Sequence, residues 1–138
     1  MNRKRLYFFY PTAAAAALLL ELLPGGAVLL FAVSPEKLLR QTFSFFSLVP
    51  LGYGNFGPFA AALLTCALFL FSLYFLWHPS RFLLFLLKLV SCAAFICSVL
   101  PGVLSIHLFS FHSVLISSIL LAEFLLLLKA DLSGISSR

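Results

Sequence analysis

The chain carries apolar stretches that are long enough to cross a lipid bilayer. The first runs from residue 13 to residue 33, and as a helix these 21 residues would cover about 31 Å, against a hydrocarbon core of roughly 30 Å. Three more follow at about residues 59–77, 82–100 and 113–128. Hydrophobic residues make up 63% of the chain and charged residues 9%, whereas soluble domains carry about 25% charged residues. The sequence therefore predicts an integral membrane protein and excludes collagen, a disordered tail, a disulfide scaffold and a soluble enzyme.

These stretches predict an all-α fold, a four-helix bundle formed by a single transmembrane domain over residues 1–138. Pro24, Gly25 and Gly26 interrupt the first stretch, and we expect them to kink that helix. A cleavable signal peptide is the alternative interpretation of this stretch. The retained helix is favoured, because the apolar region of a signal peptide has about 7–15 residues, and this one is longer and contains Glu21.

The longest connection, residues 34–58, predicts an external amphipathic helix that lies in the membrane interface between spans one and two. Ser34 suits the N-cap of this helix, and Pro35 suits its first position. Apolar side chains then recur at spacings of three and four, as on one face of a helix. They are Leu38, Leu39, Phe45, Phe46 and Val49, with Thr42 between them on the same face. Pro50 and Gly52 end the predicted helix, and residues 51–58 have the glycine and proline content of a tight turn.

The basic residues predict the orientation of the chain in the membrane. One side collects Arg3, Lys4, Arg5, Arg81, Lys129 and Arg138, and the other side has Lys37 and Arg40. By the positive-inside rule, both termini are cytoplasmic and the 34–58 loop is external. The net charge of +5 is explained by the orientation of the chain in the membrane and by contacts of its basic residues with anionic lipid headgroups. No nucleic-acid partner is predicted. The predicted location is a cell membrane, with a bacterial inner or plasma membrane favoured.

Three ionisable side chains, Glu21, Lys88 and Glu123, fall within the predicted spans. A charged side chain that is isolated at the bilayer centre raises the free energy of membrane insertion by about 2.5–3.5 kcal/mol. We therefore expect each of the three to have a partner or a function. Lys88 follows Arg81 by seven residues and Glu123 precedes Lys129 by six, which places both about 9–10 Å from the same membrane surface. We expect an ion pair between Lys88 and Glu123. Snorkelling of Lys88 to the headgroups is the alternative.

Glu21 lies eleven residues after Tyr10, about 16 Å along the helix and close to the bilayer midplane. If Lys88 pairs with Glu123, Glu21 is left without a cationic partner. Two interpretations stay open. Glu21 is either a proton or cation site next to the Pro24 kink, or a protonated carboxyl that is hydrogen-bonded across helices to a Ser, Thr or Tyr.

No residue pattern for catalysis or metal binding is present in the sequence. Cys66, Cys92 and Cys97 lie in apolar runs without CxxC spacing, which is typical of packing residues. His107 and His112 are five residues apart, whereas helical metal pairs are four apart on one face. Neither a nucleophile with a base nor a glycine-rich phosphate loop occurs. The chain is therefore predicted to be no enzyme and to use no cofactor and no metal.

The segments QTFSFF at 41–46 and VPLGYGNFGP at 49–58 resemble a signature of uncharacterised small four-span bacterial membrane proteins. The resemblance covers only the loop and the start of span two, and it implies no activity. It implies that the loop is the distinguishing surface of such proteins. The candidate external residues are Arg40, Phe45, Phe46, Tyr53 and Asn55.

Residues 15–23, AAALLLELL, are similar in outline to the first helix of small multidrug transporters, which are short four-span proteins with an essential membrane Glu. The resemblance would give Glu21 that role. The chain departs from the pattern because Pro24 follows Glu21 and the third span lacks a glycine-rich packing face. The strong charge bias also differs from the balanced charge of many of these transporters.

These observations predict a non-enzymatic multi-pass membrane protein that acts through helix or lipid contacts in a larger membrane assembly. Small residues at 13–17 and 60–62 suit close helix packing. The expected partners are the lipid bilayer and either a membrane protein or further copies of this chain. The alternative is a small proton- or cation-coupled transporter, or a channel-like oligomer, that uses Glu21.

Overall fold

The computed structural model describes residues 3–34, 37–104 and 110–132, which form five helices and one β-hairpin. In chain order they are α1 (Arg3–Leu22), β1 (Ala27–Ser34), β2 (Lys37–Phe43), α2 (Leu48–Gly52), α3 (Gly57–Trp77), α4 (Arg81–Leu104) and α5 (Phe111–Leu132). Helix α3 contacts α1 and α4, and α5 contacts α4 and α1. The four long helices thus pack as a bundle. We call the end at which α3 and α5 begin the hairpin end.

Three helices in the described part of the chain, α3, α4 and α5, are long and apolar enough to cross a membrane. Their mean hydropathies are 2.3, 2.5 and 2.1. The apolar part of α1 is shorter and covers Tyr7–Leu22. The expectation of a membrane protein is confirmed at this level. The three long helices begin and end within a few residues of the predicted spans at 59–77, 82–100 and 113–128.

The interior of the bundle combines large apolar side chains, such as Leu68, Leu87 and Leu120, with many small and hydroxyl-bearing ones, while other large apolar side chains face outwards. Every long helix contributes to the interior at spacings of three and four. Buried members include Ala14, Ala17, Ala61, Thr65, Ser72, Ser91, Ala94, Ser98, Ser113 and Ser117. Small interior residues let helix backbones approach closely, which is how helices associate in lipid without a hydrophobic driving force between them.

The prediction of one long first span over 13–33 is wrong. Helix α1 ends at Leu22, and the residues after Gly26 form strand β1. Pro24 cannot supply a helical N–H, and two glycines follow it, so the helix stops there. The backbone of β1 pairs instead with β2 in an antiparallel register that sets Ala27 opposite Phe43.

The predicted amphipathic helix in the 34–58 loop is also wrong, and the fold is therefore not purely all-α. Residues 37–43 of that segment form β2, in which the adjacent residues Leu38 and Leu39 are both exposed. Successive side chains of a strand point to opposite faces, so two neighbouring leucines serve both faces of the hairpin. Pro35 and Glu36, which were expected to begin the helix, lie outside the described residues, as does His107.

Pro50 was expected to end a helix but lies inside one, and a helix also continues through Pro101. Pro50 is within α2, and Pro101 is within α4, which continues to Leu104. Pro101 has no N–H to donate to the carbonyl of Cys97, four residues earlier. Helix α3 approaches at this point, since a Cβ added to Gly57 would lie 2.7 Å from the Cys97 carbonyl oxygen. The absence of a side chain at Gly57 therefore allows the close contact between α3 and the proline-containing turn of α4.

Candidate functional site

The carboxyl group of Glu21 is fully buried in the bundle and contacts Thr65 of α3. The Thr65 Oγ1 atom lies 2.9 Å from Glu21 Oε1. Thr65 is eight residues into α3, about 12 Å from the start of a helix that is about 31 Å long. The structure thus contains the contact anticipated for Glu21, a hydrogen bond across helices to a hydroxyl near the middle of a span. Thr65 itself was not identified from the sequence.

The hydrogen bonds of Thr65 constrain the proton on Glu21. The same Oγ1 atom lies 2.9 Å from the carbonyl oxygen of Ala61 in its own helix, and a hydroxyl has one hydrogen to donate. If Thr65 donates to Ala61, Glu21 must be protonated and must donate to Thr65. If Thr65 donates to Glu21, the Ala61 carbonyl keeps only its helical bond. The second oxygen of Glu21, Oε2, is buried and has no hydrogen-bond partner among the described residues.

The backbone of Glu21 joins this site to the hairpin. The N–H of Phe45 donates to the Glu21 carbonyl at 3.0 Å, and the N–H of Gly25 donates to the carbonyl of Phe43 at 3.3 Å. The last turn of α1 is thereby held against the strand end of β2. The Phe45 ring fills the space beside Gly26, where an added Cβ would lie 2.6 Å from Cδ1 of the ring. Movement of the hairpin would therefore act directly on the turn that carries Glu21.

Glu123 does not form the hydrogen-bonded ion pair predicted with Lys88. Glu123 is fully buried, and neither of its carboxylate oxygens has a hydrogen-bond partner among the described residues. The Nζ atom of Lys88 is 5.9 Å from the centre of the Phe85 ring, in the same helix. Its side chain lines an open groove of about 410 Å³ with Phe124 and Leu128 of α5. Matching depth on neighbouring helices did not give a hydrogen bond between the two side chains.

Glu123 lies on α5, which packs against both α4 and α1, and Tyr10 lies on α1. Tyr10 is 1% exposed, and its hydroxyl, like both oxygens of Glu123, is buried without a hydrogen-bond partner in the described structure. Two unpartnered polar side chains therefore lie in the interior of the bundle. Tyr10 lies eleven residues before Glu21, which is about 16 Å along α1.

The candidate external residues lie at the hairpin end but do not form one exposed surface. Arg40 and Tyr53 are exposed, and the Tyr53 ring packs edge-on against Phe31 of β1 at 5.2 Å. Phe46 and Asn55 are half-buried. Phe45 is 1% exposed, so its expected place on the surface is wrong. Its ring is part of the core that joins the hairpin to the bundle.

Thr65 and Tyr10 are the site residues that the sequence argument missed. A periodicity search of the predicted spans would have found the first. Buried positions of α3 recur at Pro58, Ala61, Thr65, Leu68, Ser72 and Phe75. These spacings of three and four define one helix face, on which Thr65 is the hydroxyl nearest the centre. Tyr10 belongs to the aromatic cluster at residues 7–10, which is typical of a membrane boundary and gives no sign of a buried site.

No group of three or more His, Cys, Asp or Glu side chains that could hold a metal occurs in the described ranges. Cys66, Cys92 and Cys97 are half-buried free thiols. No protein-family model, no curated protein and no solved structure matches the chain. The buried carboxyl groups and the surface of the hairpin end are therefore the features of the molecule that bear on its function.

Proposed function

We propose that the protein is a non-enzymatic multi-pass membrane protein that acts through contacts in a larger membrane assembly. The observation that carries this proposal is the apolar surface of the hairpin end. It comprises Leu38, Leu39, Leu48, Val49, Tyr53 and Phe56, and their side chains are between 42% and 69% exposed. Side chains of this size outside the bundle are covered by lipid or by another polypeptide.

The shape of the hairpin supports a protein contact. A two-stranded sheet is at best marginally stable in water, and residues 38–42 of β2 are all exposed. On one face, Leu30 lies opposite Arg40 and Ala32 lies opposite Leu38. An apolar strip of this kind suits a partner with apolar side chains. Among the described residues the sheet has only these two strands, so a partner strand could add to it.

Photo-crosslinking in native membranes tests this proposal. A photoreactive amino acid in place of Leu38 should yield a protein adduct of one discrete mass. The partner identified by mass spectrometry should then capture this chain in the reverse experiment. Leu70, which is 63% exposed on α3, is the matched control and should yield lipid adducts. If Leu38 also yields only lipid adducts and the protein purifies alone in mild detergent, the assembly proposal fails.

The proposal includes an orientation with both termini in the cytoplasm and the hairpin end outside. The positively charged ends of α1, α4 and α5 support it, because lysine and arginine are retained on the cytoplasmic side. Reporter domains fused after Trp77 and after Arg138 should read as cytoplasmic. A reporter inserted after Arg40 should read as external. An external reading after Arg138 would contradict four membrane crossings.

A second candidate function, a proton- or cation-coupled transporter or channel-like oligomer, is favoured by the Glu21 site. Glu21 Oε2 is a buried unpartnered oxygen near the middle of the bundle. In reconstituted vesicles, a transporter would dissipate a pH or cation gradient, and Glu21→Gln would abolish that flux. In an assembly protein, Glu21→Gln would leave the Leu38 adduct and any cellular activity unchanged. The same variant therefore separates the two functions.

A further inference from the structure

We propose that the outer groove between α4 and α5 binds one anionic phospholipid, with an acyl chain along the groove and the phosphate at Lys88. Both helices are long and apolar enough to cross a membrane, so the outer surface between them faces lipid. The described side chains that line the groove are uncharged, except for that of Lys88. The site is distinct from Glu21 and from the hairpin end, and it does not depend on the proposed function.

The dimensions of the groove suit one acyl chain of one leaflet. Its wall on α4 extends from Phe85 to Ile96, which is about 16 Å along the helix and about half of the roughly 30 Å hydrocarbon core. Between them, the single methyl group of Ala93 leaves space beside the longer side chains of Leu89 and Ile96. The volume of about 410 Å³ lies within the range of about 300–1,000 Å³ that is typical of small-molecule sites.

Lys88 supplies a positive charge near the membrane surface at which α4 begins. Its Nζ atom lies 5.9 Å from the centre of the Phe85 ring, one helical turn nearer to that surface, as in a lysine that extends towards the headgroups. A lipid phosphate needs this charge and one of the three N–H groups of the ammonium, so the site does not require that Lys88 lack another contact. Lys129 is exposed in the last turn of α5, at the same end of the bundle. Both charges favour an anionic headgroup over a zwitterionic one.

Native mass spectrometry of the full chain in detergent tests the site with two lipids of equal chain length. Phosphatidylglycerol carries a net negative charge, whereas phosphatidylcholine is zwitterionic. We expect one phosphatidylglycerol to bind about fivefold more tightly than phosphatidylcholine, which is the contribution of one lysine near an anionic headgroup. Equal affinities for the two lipids would contradict a phosphate site at Lys88.

Two pairs of variants locate the bound lipid. Lys88→Gln should remove the preference for phosphatidylglycerol, whereas Lys129→Gln makes the same change outside the groove and should keep most of it. Ala93→Leu fills the groove and should weaken the binding of both lipids by about fivefold or more, the effect of an overpacked contact. Ala122→Leu is the matched control, because Ala122 is exposed on α5 and does not line the groove. Wild-type binding by Ala93→Leu, or equal losses from the two lysine variants, would overturn the proposal.

Photo-crosslinking from the groove in native membranes distinguishes a lipid from a protein occupant. Leu89 lines the groove and is 55% exposed, so a photoreactive amino acid in its place should yield phospholipid adducts that mass spectrometry identifies. A protein adduct of one discrete mass would assign the groove to a helix of another polypeptide and would overturn the lipid site. The crosslink from Leu38 reports on the hairpin end instead, so the outcome there does not decide the outcome at the groove.

Discussion

Replacing Gly57 with alanine should lower the free energy of unfolding by about 1–3 kcal/mol, the cost of inserting an extra group into a packed contact. The added Cβ would lie 2.7 Å from the carbonyl oxygen of Cys97 and 3.0 Å from the Pro101 ring. Backbone and a proline ring cannot swing aside as a flexible side chain can. The α3–α4 contact must therefore open. Unfolding by a denaturing detergent, followed by far-UV circular dichroism, measures the change.

Gly52→Ala is the control for this experiment. An added Cβ at Gly52 meets no atom within 4 Å, so the same chemical change is made without a clash. Gly52 lies at the end of α2, where alanine is tolerated. We expect its free energy of unfolding to match wild type within about 0.5 kcal/mol. Equal losses from Gly52→Ala and Gly57→Ala would show that the contact between Gly57 and the Pro101 turn is not tight.

The three long helices could be predicted from the sequence because each is an apolar run between polar or turn-forming residues. Helix α3 begins near Pro58 and ends before His78 and Pro79, and all of these signals are local. The first span failed because the state of residues 27–34 depends on pairing with residues 37–43. The spacing of apolar residues in β1 and their hydropathy are equally compatible with a buried helix. The segment is a strand because it pairs with β2.

For the candidate site, the sequence predicted how deep each charged residue lies in the membrane but not the side of the helix on which it lies. Counting residues placed Glu21 correctly near the middle of the membrane helices, and placed Lys88 and Glu123 at a common level. A count of residues does not show on which face of its helix a side chain lies. The buried face of α4 includes Leu84, Leu87 and Ser91, and the half-buried Lys88 lines the groove between α4 and α5. Depth alone therefore did not decide whether Lys88 and Glu123 meet, and neither carboxylate oxygen of Glu123 has a hydrogen-bond partner among the described residues.

The hydrogen bond between Thr65 and Glu21 gives the second large prediction. Thr65→Val removes the hydroxyl at nearly constant volume and leaves both Glu21 oxygens buried without a partner. We expect a loss of about 1–3 kcal/mol in the free energy of unfolding, the cost of an unsatisfied buried polar group. Thr65→Ser keeps the hydroxyl and should recover most of this loss. The measurement is the same detergent-induced unfolding.

Ser72→Ala is the matched control on the same interior face of α3. Its hydroxyl is also buried, but it donates to the Phe69 carbonyl within its own helix, so its removal strands no group on another helix. We expect a change much smaller than that of Thr65→Val. A Thr65→Val loss no larger than the Ser72→Ala loss would mean that the contact with Glu21 contributes nothing to stability.

Glu21→Gln in the same assay reports the proton on Glu21. If Thr65 donates to Ala61, Glu21 is a protonated donor, and the amide of glutamine reproduces its hydrogen bond with a loss of about 1 kcal/mol or less. The loss from Thr65→Val should then persist in the Glu21→Gln background, because the hydroxyl still accepts a bond there. If Glu21 is instead an ionised acceptor, removing its charge from the interior should stabilise the protein. The sign of the Glu21→Gln effect therefore distinguishes a carboxyl that holds its proton from one that is held charged, as a cation site requires.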